Sequence, residues 1–438
     1  MIRPREAAPL LVVGTSHHLA PVALRERLAK GGERAAEQLA ELLRQRVGAA
    51  VVLETCNRLE VYCWSDRPRT AAAVVRVLRE WGGLRRADLA PYLYVHRGLD
   101  AARHLIRVAA GLESLAVGET EVLGQVRAAW HAARRTDPSG SPLAPELDLL
   151  FRHAFHSARA IRRHGAFDRH PSVAAFAVEA AASEMGGLAG RTVAVLGAGA
   201  TGRESLRLLL AAGAGRAIML NRSRARLAEA RLDLSHDRVS LATLDALPAA
   251  LAEADLLLCA TSAPAPVVST SQIAAALPHR AGRPLTIVDV AVPRDVDSTA
   301  RALPGVRLLD LDDLASRCAV DGPARRDALE RAASAARTAA GEYAALLRLR
   351  RVVPAVRAIR DHAESTRAAT FEVTRRRLQH LSARDLEIVE RLTRTLTRRL
   401  VHPPTVAVRR TATRGARGDR ERATIVAAFT GDTDALPA

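Results

Sequence analysis

A glycine-rich segment between a strand-like run and a helix-forming run constrains the fold of this chain most strongly. The sequence GAGATG occupies residues 197–202, directly after the apolar run 191–196. In such a strand–turn–helix unit the first glycine permits the tight turn, the second lets a pyrophosphate approach, and the third lets the helix pack on the strand. The amides and dipole of the helix N-terminus then face the phosphates. We predict a dinucleotide site formed by Gly197, Ala198, Gly199, Ala200, Thr201 and Gly202.

Strand-like and helix-forming runs alternate around this glycine segment. Apolar runs at residues 191–197, 216–223, 254–262 and 286–293 have the composition of buried strands, and helix-forming stretches separate the first three. Such alternation implies parallel strands joined by crossover helices. We therefore assign residues 166–320 to a Rossmann-type dinucleotide-binding domain.

The residues after the second strand indicate which dinucleotide binds. A site for NAD carries an acidic residue about 20 positions after the glycines, where it holds the ribose 2′-hydroxyl. This chain has Asn221, Arg222, Ser223 and Arg224 there, and a guanidinium pairs well with a 2′-phosphate. NADPH is therefore the predicted cofactor, with Asn221, Arg222 and Ser223 as ligands and Arg224 as a further candidate. A solvated arginine cluster is the alternative.

The segment before this domain, residues 1–165, mixes both kinds of secondary structure. Residues 10–16 and 49–64 carry the apolar, β-branched runs of buried strands. Helical spacing occurs at residues 33–46, from residue 100 onward and at residues 145–163. We predict an α+β domain, which makes the whole chain an α/β multidomain protein.

The segment after the dinucleotide domain, residues 321–410, is almost wholly helix-forming. Pro354 is predicted to break a helix or to start a new one, and residues 402–404 (His-Pro-Pro) to stop the last helix. So long a helical array is expected to cover its apolar face by pairing with a second copy, a compact bundle being the alternative. Residues 411–438 are rich in Gly, Arg, Thr and Asp and are predicted to form a flexible tail.

Composition excludes several classes of protein. The longest uncharged stretch, residues 256–279, contains three prolines and cannot be a membrane span. The four cysteines form no CxxC pair and no zinc-ligand spacing, so neither a disulfide scaffold nor a metal site is expected. We expect a cytoplasmic protein. The net charge of +18 is carried by arginine, with Lys30 as the only lysine; this fits either a polyanion-binding surface or a solvated arginine-rich one.

Cys56 is the candidate nucleophile. It lies in the polar sequence ETCNRLE (54–60), which interrupts two strand-like runs. A cation such as Arg58 can lower the pKa of a thiol and make a thiolate. A buried structural cysteine is the alternative, and we interpret Cys63, Cys259 and Cys318 in that way.

Together these motifs resemble the glutamyl-tRNA reductase family over nearly the whole chain and in the same order. That family reduces glutamyl-tRNA with NADPH to glutamate-1-semialdehyde, the first committed precursor of tetrapyrroles. The segments that carry the resemblance are residues 14–26 (GTSHHLAPVALRE), 55–60 (TCNRLE), 104–130, 197–202, 221–223, 288–297 (VDVAVPRDVD) and 388–405.

The resemblance implies a role for each matching residue. Cys56 would be the nucleophile, Arg58 would clamp the side-chain carboxylate of the glutamyl group, and His104 would act as acid/base or orienting group. It also implies a homodimer, glutamyl-tRNA(Glu) as substrate partner and transfer of the product to glutamate-1-semialdehyde aminotransferase. The residues implied in substrate binding are Thr55, Asn57, Arg58, Ser114, Glu119, Thr120, Glu121 and Gln125.

Two segments depart from the family pattern. Thr120 and Glu121 stand where the family has Pro-Gln, and residues 159–177 keep Arg162 and Arg163 but lose most of the family's sequence. These departures leave two alternatives to the family's reaction. One is another NADP-dependent oxidoreductase, since similar motifs occur in shikimate dehydrogenase-like domains; the other is a non-catalytic, NADPH-liganded protein that binds RNA or another partner.

Overall fold

The computed structural model describes residues 9–29, 33–48, 50–135, 143–164, 172–233, 237–317 and 323–431. The chain forms two compact units, residues 1–340 and 341–438. The elements before residue 165 are β1 (Leu10–Ser16), α1 (Val22–Leu28), α2 (Glu33–Val47), β2 (Ala50–Glu54), β3 (Arg58–Trp64), α3 (Thr70–Gly82), α4 (Arg86–Leu89), β4 (Tyr94–Arg97), α5 (Gly98–Ala109), α6 (Glu121–Arg135) and α7 (Pro145–His164).

The elements of the middle segment alternate between helix and strand. They are α8 (Val173–Met185), β5 (Thr192–Leu196), α9 (Ala200–Ala211), β6 (Arg216–Leu220), α10 (Arg224–Asp233), β7 (Val239–Ala242), α11 (Leu247–Glu253), β8 (Leu256–Cys259), α12 (Thr270–Ala276), β9 (Leu285–Asp289), β10 (Val306–Leu309) and α13 (Leu311–Arg317). Three helices follow: α14 (Pro323–Arg377), α15 (Ala383–Thr411) and α16 (Gly415–Thr430).

The first sheet has four strands in the order β2-β3-β1-β4, and all its pairs are antiparallel. The apolar run predicted at residues 10–16 is its strand β1, and the run at 49–64 forms the hairpin of β2 and β3. The three residues between these strands, 55–57, form the turn of the hairpin. The fold thus places Cys56 in a tight turn at the end of this sheet, where its side chain is half-buried.

The second sheet has six parallel strands in the order β7-β6-β5-β8-β9-β10. This is the strand order of a doubly wound dinucleotide-binding fold, in which the strand order reverses between the first and fourth strands, here β5 and β8. The four predicted strands are present, and β7 and β10 are two strands that the sequence patterns did not indicate. The glycine segment 197–202 begins at the carboxyl end of β5, beside the switch point where ligands bind in such sheets.

The prolines of the C-terminal segment do not act as predicted. Helix α14 continues through Pro354, and helix α15 continues through Pro403 and Pro404 to Thr411. The prediction that these prolines break or stop helices is therefore wrong. Packing explains why the helices continue through the prolines. Val352, Val356 and Val401, which lie close to these prolines, all belong to one buried apolar cluster. The free energy gained by this packing outweighs the local cost of a proline in a helix.

The tail is also better ordered than predicted. Helix α16 spans residues 415–430, and its Ile425, Val426 and Phe429 pack against the same apolar cluster. The prediction of a flexible tail from Thr411 onward is wrong, because apolar residues at helical spacing outweigh the Gly, Thr and Asp in the segment. In the described part of the chain, every helix is too short or too polar to cross a membrane.

Candidate active site

The turn that carries Cys56 is shaped by Thr55. The Thr55 Oγ1 accepts hydrogen bonds from the backbone N–H groups of Asn57 (3.1 Å) and Arg58 (3.2 Å), and the Thr55 N–H donates to the Arg58 carbonyl at 2.9 Å. Threonine is well suited to such a turn because its hydroxyl replaces missing backbone partners. The arrangement fixes Cys56 at the tip of the hairpin.

Cys56 faces a cavity that both halves of the first compact unit line. The cavity has a volume of about 380 Å³, and its walls include Thr55, Cys56 and Gln125 on one side. Ser262, which follows β8, and Val292, which follows β9, line the other side. Three predicted site residues therefore share one cavity with the carboxyl ends of the parallel strands.

The electrostatics at Cys56 differ from the sequence-based prediction. Burial raises the pKa of the Cys56 thiol to about 12, the Glu119 carboxylate acts in the same direction, and Arg25 acts against them. The prediction that Arg58 lowers the pKa of the Cys56 thiol is wrong, because that pKa is raised and Arg25 is the cation that acts on it. Since the thiolate is the nucleophilic form, the Cys56 proton must be removed when the thiol reacts.

Arg58 is instead part of a buried polar network. Its guanidinium is 2% exposed; it donates to Glu60 Oε1 at 2.8 Å and to the carbonyl of Glu113. Glu60 also accepts hydrogen bonds from the hydroxyls of Tyr62 and Tyr94. The carboxylate clamp assigned to Arg58 stays a prediction, and in this conformation the guanidinium is occupied by partners within the protein.

Glu60 connects this network to His104. The His104 Nε2 lies 2.9 Å from Glu60 Oε1. Burial would raise the pKa of the Glu60 carboxyl, but His104, Arg58 and the Tyr62 hydroxyl hold it well below its ordinary value. Glu60 is not among the predicted site residues. It lies two residues after Arg58 on β3, so the two side chains are on the same face of the strand.

His104 lines a second cavity rather than the one at Cys56. This cavity has a volume of about 450 Å³. Its walls carry several basic and aromatic side chains, with ring centroids of His104 and Tyr94 5.1 Å apart and those of His104 and His96 4.9 Å apart. The lining residues include Ser16, His18, Tyr94, His96, Arg103, His104, Arg107, Glu113 and Arg337.

The segment between α5 and α6 contains the other predicted substrate residues. Ser114 and Glu119 are buried at 3% and 6% exposure; burial raises the pKa of Glu119, and a hydrogen bond from Ser114 opposes the rise. Thr120 is exposed. Glu121 begins α6, where the helix dipole favours a negative charge.

Three buried polar atoms near the Cys56 turn have no hydrogen-bond partner among the described residues: Thr15 Oγ1, His17 Nδ1 and Asn57 Oδ1. The three residues are neighbours along the backbone of the sheet, because the His17 N–H donates to the Asn57 carbonyl at 2.8 Å and Thr15 pairs with Leu59. Buried polar groups are rarely left unpaired without a reason. These three atoms are therefore available to form hydrogen bonds with a polar ligand at the turn.

The glycine segment meets the steric requirements of a dinucleotide turn. Gly197 has a φ of +113°, and a Cβ there would lie 2.5 Å from the Ala260 carbonyl oxygen. A Cβ on Gly202 would lie 2.0 Å from the Gly197 carbonyl oxygen, whereas one on Gly199 would have no neighbour within 4 Å. Helix α9 starts at Ala200, so its first amides face the open space beside Gly199, as a bound pyrophosphate requires.

The predicted adenosine-side residues lie close to this turn. The Asn221 Oδ1 accepts from the Ala198 N–H at 3.3 Å, and its Nδ2 donates to the Ser223 carbonyl at 3.2 Å. Arg222 and Arg224 are exposed. The donor set therefore fits a dinucleotide that carries a 2′-phosphate.

Comparisons with known proteins agree with this geometry. Residues 13–165 match the family model of the glutamyl-tRNA(Glu) reductase N-terminal domain, residues 179–316 that of shikimate/quinate 5-dehydrogenase, and residues 331–430 that of the glutamyl-tRNA(Glu) reductase dimerisation domain. The glutamyl-tRNA reductase of Syntrophotalea carbinolica is 33% identical over 91% of this chain and 89% of its own length. That of Halorhodospira halophila is 35% identical over 94% of this chain and 90% of its own. The chain belongs to the glutamyl-tRNA reductase family.

A solved glutamyl-tRNA reductase from Methanopyrus kandleri is 28% identical, covers 95% of this chain and 99% of its own, and superposes with a TM-score of 0.43. Membership of the glutamyl-tRNA reductase family confirms the predicted fold class, with an α+β N-terminal domain, a Rossmann-type domain and a helical C-terminal domain.

The segment that departs from the glutamyl-tRNA reductase pattern is only partly described. Arg162 donates to the Ala109 carbonyl at 2.9 Å, and Arg163 is exposed. Ser172 caps α8 through the Ala175 N–H and donates to Glu204 at 2.7 Å. The rest of the altered sequence, residues 165–171, lies outside the described residues. Among those residues that are described, no group of three or more metal-ligating side chains occurs.

Proposed function

We propose that this chain reduces glutamyl-tRNA(Glu) with NADPH to glutamate-1-semialdehyde through a thioester on Cys56, the entry step of tetrapyrrole synthesis. The observation that carries the proposal is the position of Cys56. Its turn faces a cavity whose opposite wall, at Ser262 and Val292, follows strands of the parallel sheet. A group attached to the thiol therefore lies beside the half of the unit that binds the cofactor.

The first step is an acyl transfer. The Cys56 sulfur attacks the carbonyl carbon of the glutamyl ester, a C–S bond forms, and the C–O bond to the tRNA breaks. The thiol proton ends on the departing tRNA hydroxyl. Because the thiol pKa is about 12 in the free protein, the proton leaves together with the attack rather than before it. Covalent catalysis replaces one difficult reduction by two easier steps.

The cofactor would be held by Gly197 to Gly202 and by Asn221, Arg222 and Ser223. When bound, NADPH supplies the hydride that brings the thioester carbon to the oxidation level of an aldehyde. The C–S bond then breaks, the aldehyde is released, and the sulfur takes up one proton from solvent, so that Cys56 is again a thiol. Exclusion of water from the cavity during this step would protect the thioester from hydrolysis to glutamate.

The remaining site residues bind and orient the glutamyl group. Asn57 has an unused buried amide oxygen and faces the substrate's ammonium group. Gln125, which lines the cavity at Cys56, would contact the glutamyl group together with Ser114, Glu119, Thr120 and Glu121. Arg58 binds the side-chain carboxylate by exchanging an internal partner for it, and His104, held by Glu60, orients the group or transfers a proton.

The three segments divide the work. Residues 1–165 bind the glutamyl-tRNA, residues 166–320 bind NADPH, and residues 321–410, extended by α16, form the homodimer. The reaction takes place in the cytoplasm, and a reactive α-amino aldehyde as product favours direct transfer to glutamate-1-semialdehyde aminotransferase.

The decisive experiment is anaerobic incubation of the full chain with glutamyl-tRNA that is radiolabelled in the glutamate. We expect a thiol-sensitive labelled adduct without NADPH and glutamate-1-semialdehyde with it. Cys56→Ser should give neither product while NADPH binding is retained, and Cys63→Ser is the matched control. Aldehyde formation by Cys56→Ser would refute the assigned nucleophile, and the absence of both products from the wild type would refute the function.

A further inference from the structure

Helix α1 is bound at its first turn by the opposite half of the compact unit. Pro21 precedes the helix and offers no side-chain cap, and the first turn contains no acidic residue. The Val22 N–H donates instead to Asp312 Oδ2 at 2.8 Å. Asp312 lies on α13, 290 residues further along the chain and directly after the last strand of the parallel sheet. A carboxylate at this position is the cap that the helix otherwise lacks.

Arg25, on the same helix, contacts both the nucleophile turn and this carboxylate. It is 3% exposed. Its Nη1 donates to the Cys56 carbonyl at 2.6 Å, and its Nη2 donates to Asp312 Oδ1 at 2.7 Å. A third bond, from Nε to the Ala20 carbonyl at 3.2 Å, fixes the side chain to the residue that precedes Pro21. One rigid guanidinium thus joins the backbone of Cys56 to the cofactor-binding half.

A second ion pair binds the adjacent position of α1. Arg294 donates from Nε and Nη2 to the two oxygens of Glu26, both at 2.8 Å, and its backbone N–H donates to Glu26 Oε1 at 2.7 Å. Bidentate geometry of this kind specifies orientation as well as contact. Arg294 follows Val292 by two residues, and Val292 lines the cavity at Cys56.

We propose that Arg25 is a positioning residue that couples docking of the cofactor-binding half to the orientation of Cys56, with Asp312 as its docking partner. The proposal rests on the function proposed above, in which acyl transfer to Cys56 precedes reduction. Acyl transfer needs the N-terminal half and the ester. Reduction needs both halves in contact, because the acylated thiol must meet the cofactor across the cavity.

The two steps should therefore respond differently when the contact is lost. Asp312→Asn removes the negative charge that pairs with Arg25 and leaves one acceptor oxygen for two donors, the Arg25 guanidinium and the Val22 N–H, with little change of shape. Asp313→Asn is the matched control, because Asp313 is the next residue on α13, has a similarly exposed side chain (32% against 37%) and pairs with Arg301 within its own half. Arg25→Lys keeps the positive charge but cannot span both acceptors.

The test is single-turnover kinetics with radiolabelled glutamyl-tRNA. Asp312→Asn leaves the bond from Arg25 to the Cys56 carbonyl in place, so it should form the Cys56 adduct within about twofold of the wild-type rate. It should then convert the adduct to aldehyde at least about tenfold more slowly when NADPH is added, as expected for loss of one charge-assisted contact. Arg25→Lys, which also weakens the contact with Cys56, should slow both steps, and adding Asp312→Asn to it should cause no further loss in the second step, because both changes remove one interaction there. Asp313→Asn should match the wild type in both steps. Equal slowing of both steps in Asp312→Asn, or equal behaviour of the two asparagine variants, would overturn the proposal.

A second measurement is independent of the reaction. Undocking opens the cavity, so iodoacetamide should alkylate Cys56 several-fold faster in Asp312→Asn than in the wild type or Asp313→Asn. Identical alkylation rates in all three proteins would refute the coupling even if the enzyme is active. A wild type that forms neither adduct nor aldehyde would refute the proposed function, and the alkylation rates would still decide whether Arg25 and Asp312 hold the halves together over Cys56.

Discussion

At the scale of single residues, Glu60 is the centre of a buried polar network in the N-terminal half. Its carboxylate is fully buried and is bonded to Arg58, Tyr62, Tyr94 and His104. Removing one partner of a buried pair leaves an uncompensated charge, which costs about 3–5 kcal/mol. The network is therefore a structural requirement of the site as well as a means of orienting His104.

Glu60→Gln should lower the free energy of unfolding by about 3–5 kcal/mol and abolish reduction. Urea unfolding can be followed by tryptophan fluorescence, since Trp64, Trp81 and Trp130 are the only tryptophans and all lie in the N-terminal segment. The matched control is Glu41→Gln. Glu41 forms an ion pair with Arg44, and its side chain is 48% exposed. This substitution should change the free energy of unfolding by less than about 1 kcal/mol.

The difference in the free energy of unfolding between the wild type and Glu60→Gln should become smaller at acidic pH. The pKa of Glu60 is depressed in the folded protein, so its contribution to stability is fully present above the ordinary glutamate pKa of about 4.3 and is lost as the pH falls through the folded value. The gap between wild type and Glu60→Gln should be constant above about pH 5 and shrink in more acidic solution. A gap that widens on acidification would contradict this assignment.

Sequence patterns singled out three residues that line one cavity, but they did not indicate the partners of the predicted site residues. Cys56, Thr55 and Gln125 share a cavity, and His104 lies in the N-terminal half, yet Arg25, Glu60 and Asp312 were not predicted. Arg25, Glu60 and Asp312 each contact residues that lie tens to hundreds of positions away in the sequence. A local sequence pattern does not indicate such contacts. The same limit explains the incorrect thiol prediction: Arg58 is close to Cys56 in sequence, but the fold pairs its guanidinium with Glu60 and brings Arg25 to the turn.

At the scale of elements, the strand-to-helix turn at residues 197–202 was predictable, because its glycines answer a local steric requirement. Gly197→Ala should destabilise the parallel-sheet domain, since the left-handed φ and the Ala260 carbonyl both oppose a Cβ. Gly199→Ala is the control for folding. Its φ of −73° suits alanine and its surroundings are open, so stability should be unchanged or raised by up to about 1 kcal/mol.

The two variants should affect different properties. Gly197→Ala lowers the stability of the domain, whereas Gly199→Ala lowers its affinity for NADPH. A methyl group at position 199 projects into the space needed by the pyrophosphate. The affinity of Gly199→Ala for NADPH should therefore fall at least about tenfold, while its melting temperature stays that of the wild type. Thermal unfolding and nicotinamide fluorescence measure the two quantities. A wild-type melting temperature for Gly197→Ala, or wild-type NADPH affinity for Gly199→Ala, would contradict this account of the turn.

The helices show where element prediction from sequence fails. Proline rules placed ends at Pro354 and at residues 402–404, but α14 and α15 continue past them. A proline costs a helix about 3 kcal/mol, and burial of a single valine or isoleucine returns about 1.5–3 kcal/mol. Several such residues, among them Val352, Ile359 and Val401, are buried near these prolines. Only the tertiary packing shows which term is larger.

At the scale of the whole molecule, an apolar stripe on α15 is the surface that we predict to form the dimer contact. Ile388, Leu392, Leu396 and Leu400 follow one another at intervals of four residues and are 59%, 55%, 50% and 71% exposed. Four-residue spacing places them along one face of the helix. An exposed row of large apolar side chains is characteristic of an interaction surface, and it lies within the residues that match the dimerisation domain.

Leu392→Glu combined with Leu396→Glu should therefore produce a folded monomer. Burial of each leucine is worth about 1.5–3 kcal/mol, so losing two raises the dimer Kd at least about a hundredfold, before the cost of burying two carboxylates is added. Sedimentation equilibrium over a range of concentrations measures the effect. Arg391→Glu combined with Arg398→Glu is the control, because these exposed residues lie off the stripe and receive a larger change of charge. An unchanged Kd in the leucine variant would place the dimer interface elsewhere. Equal dissociation of both variants would show that net charge, rather than the apolar stripe, governs association.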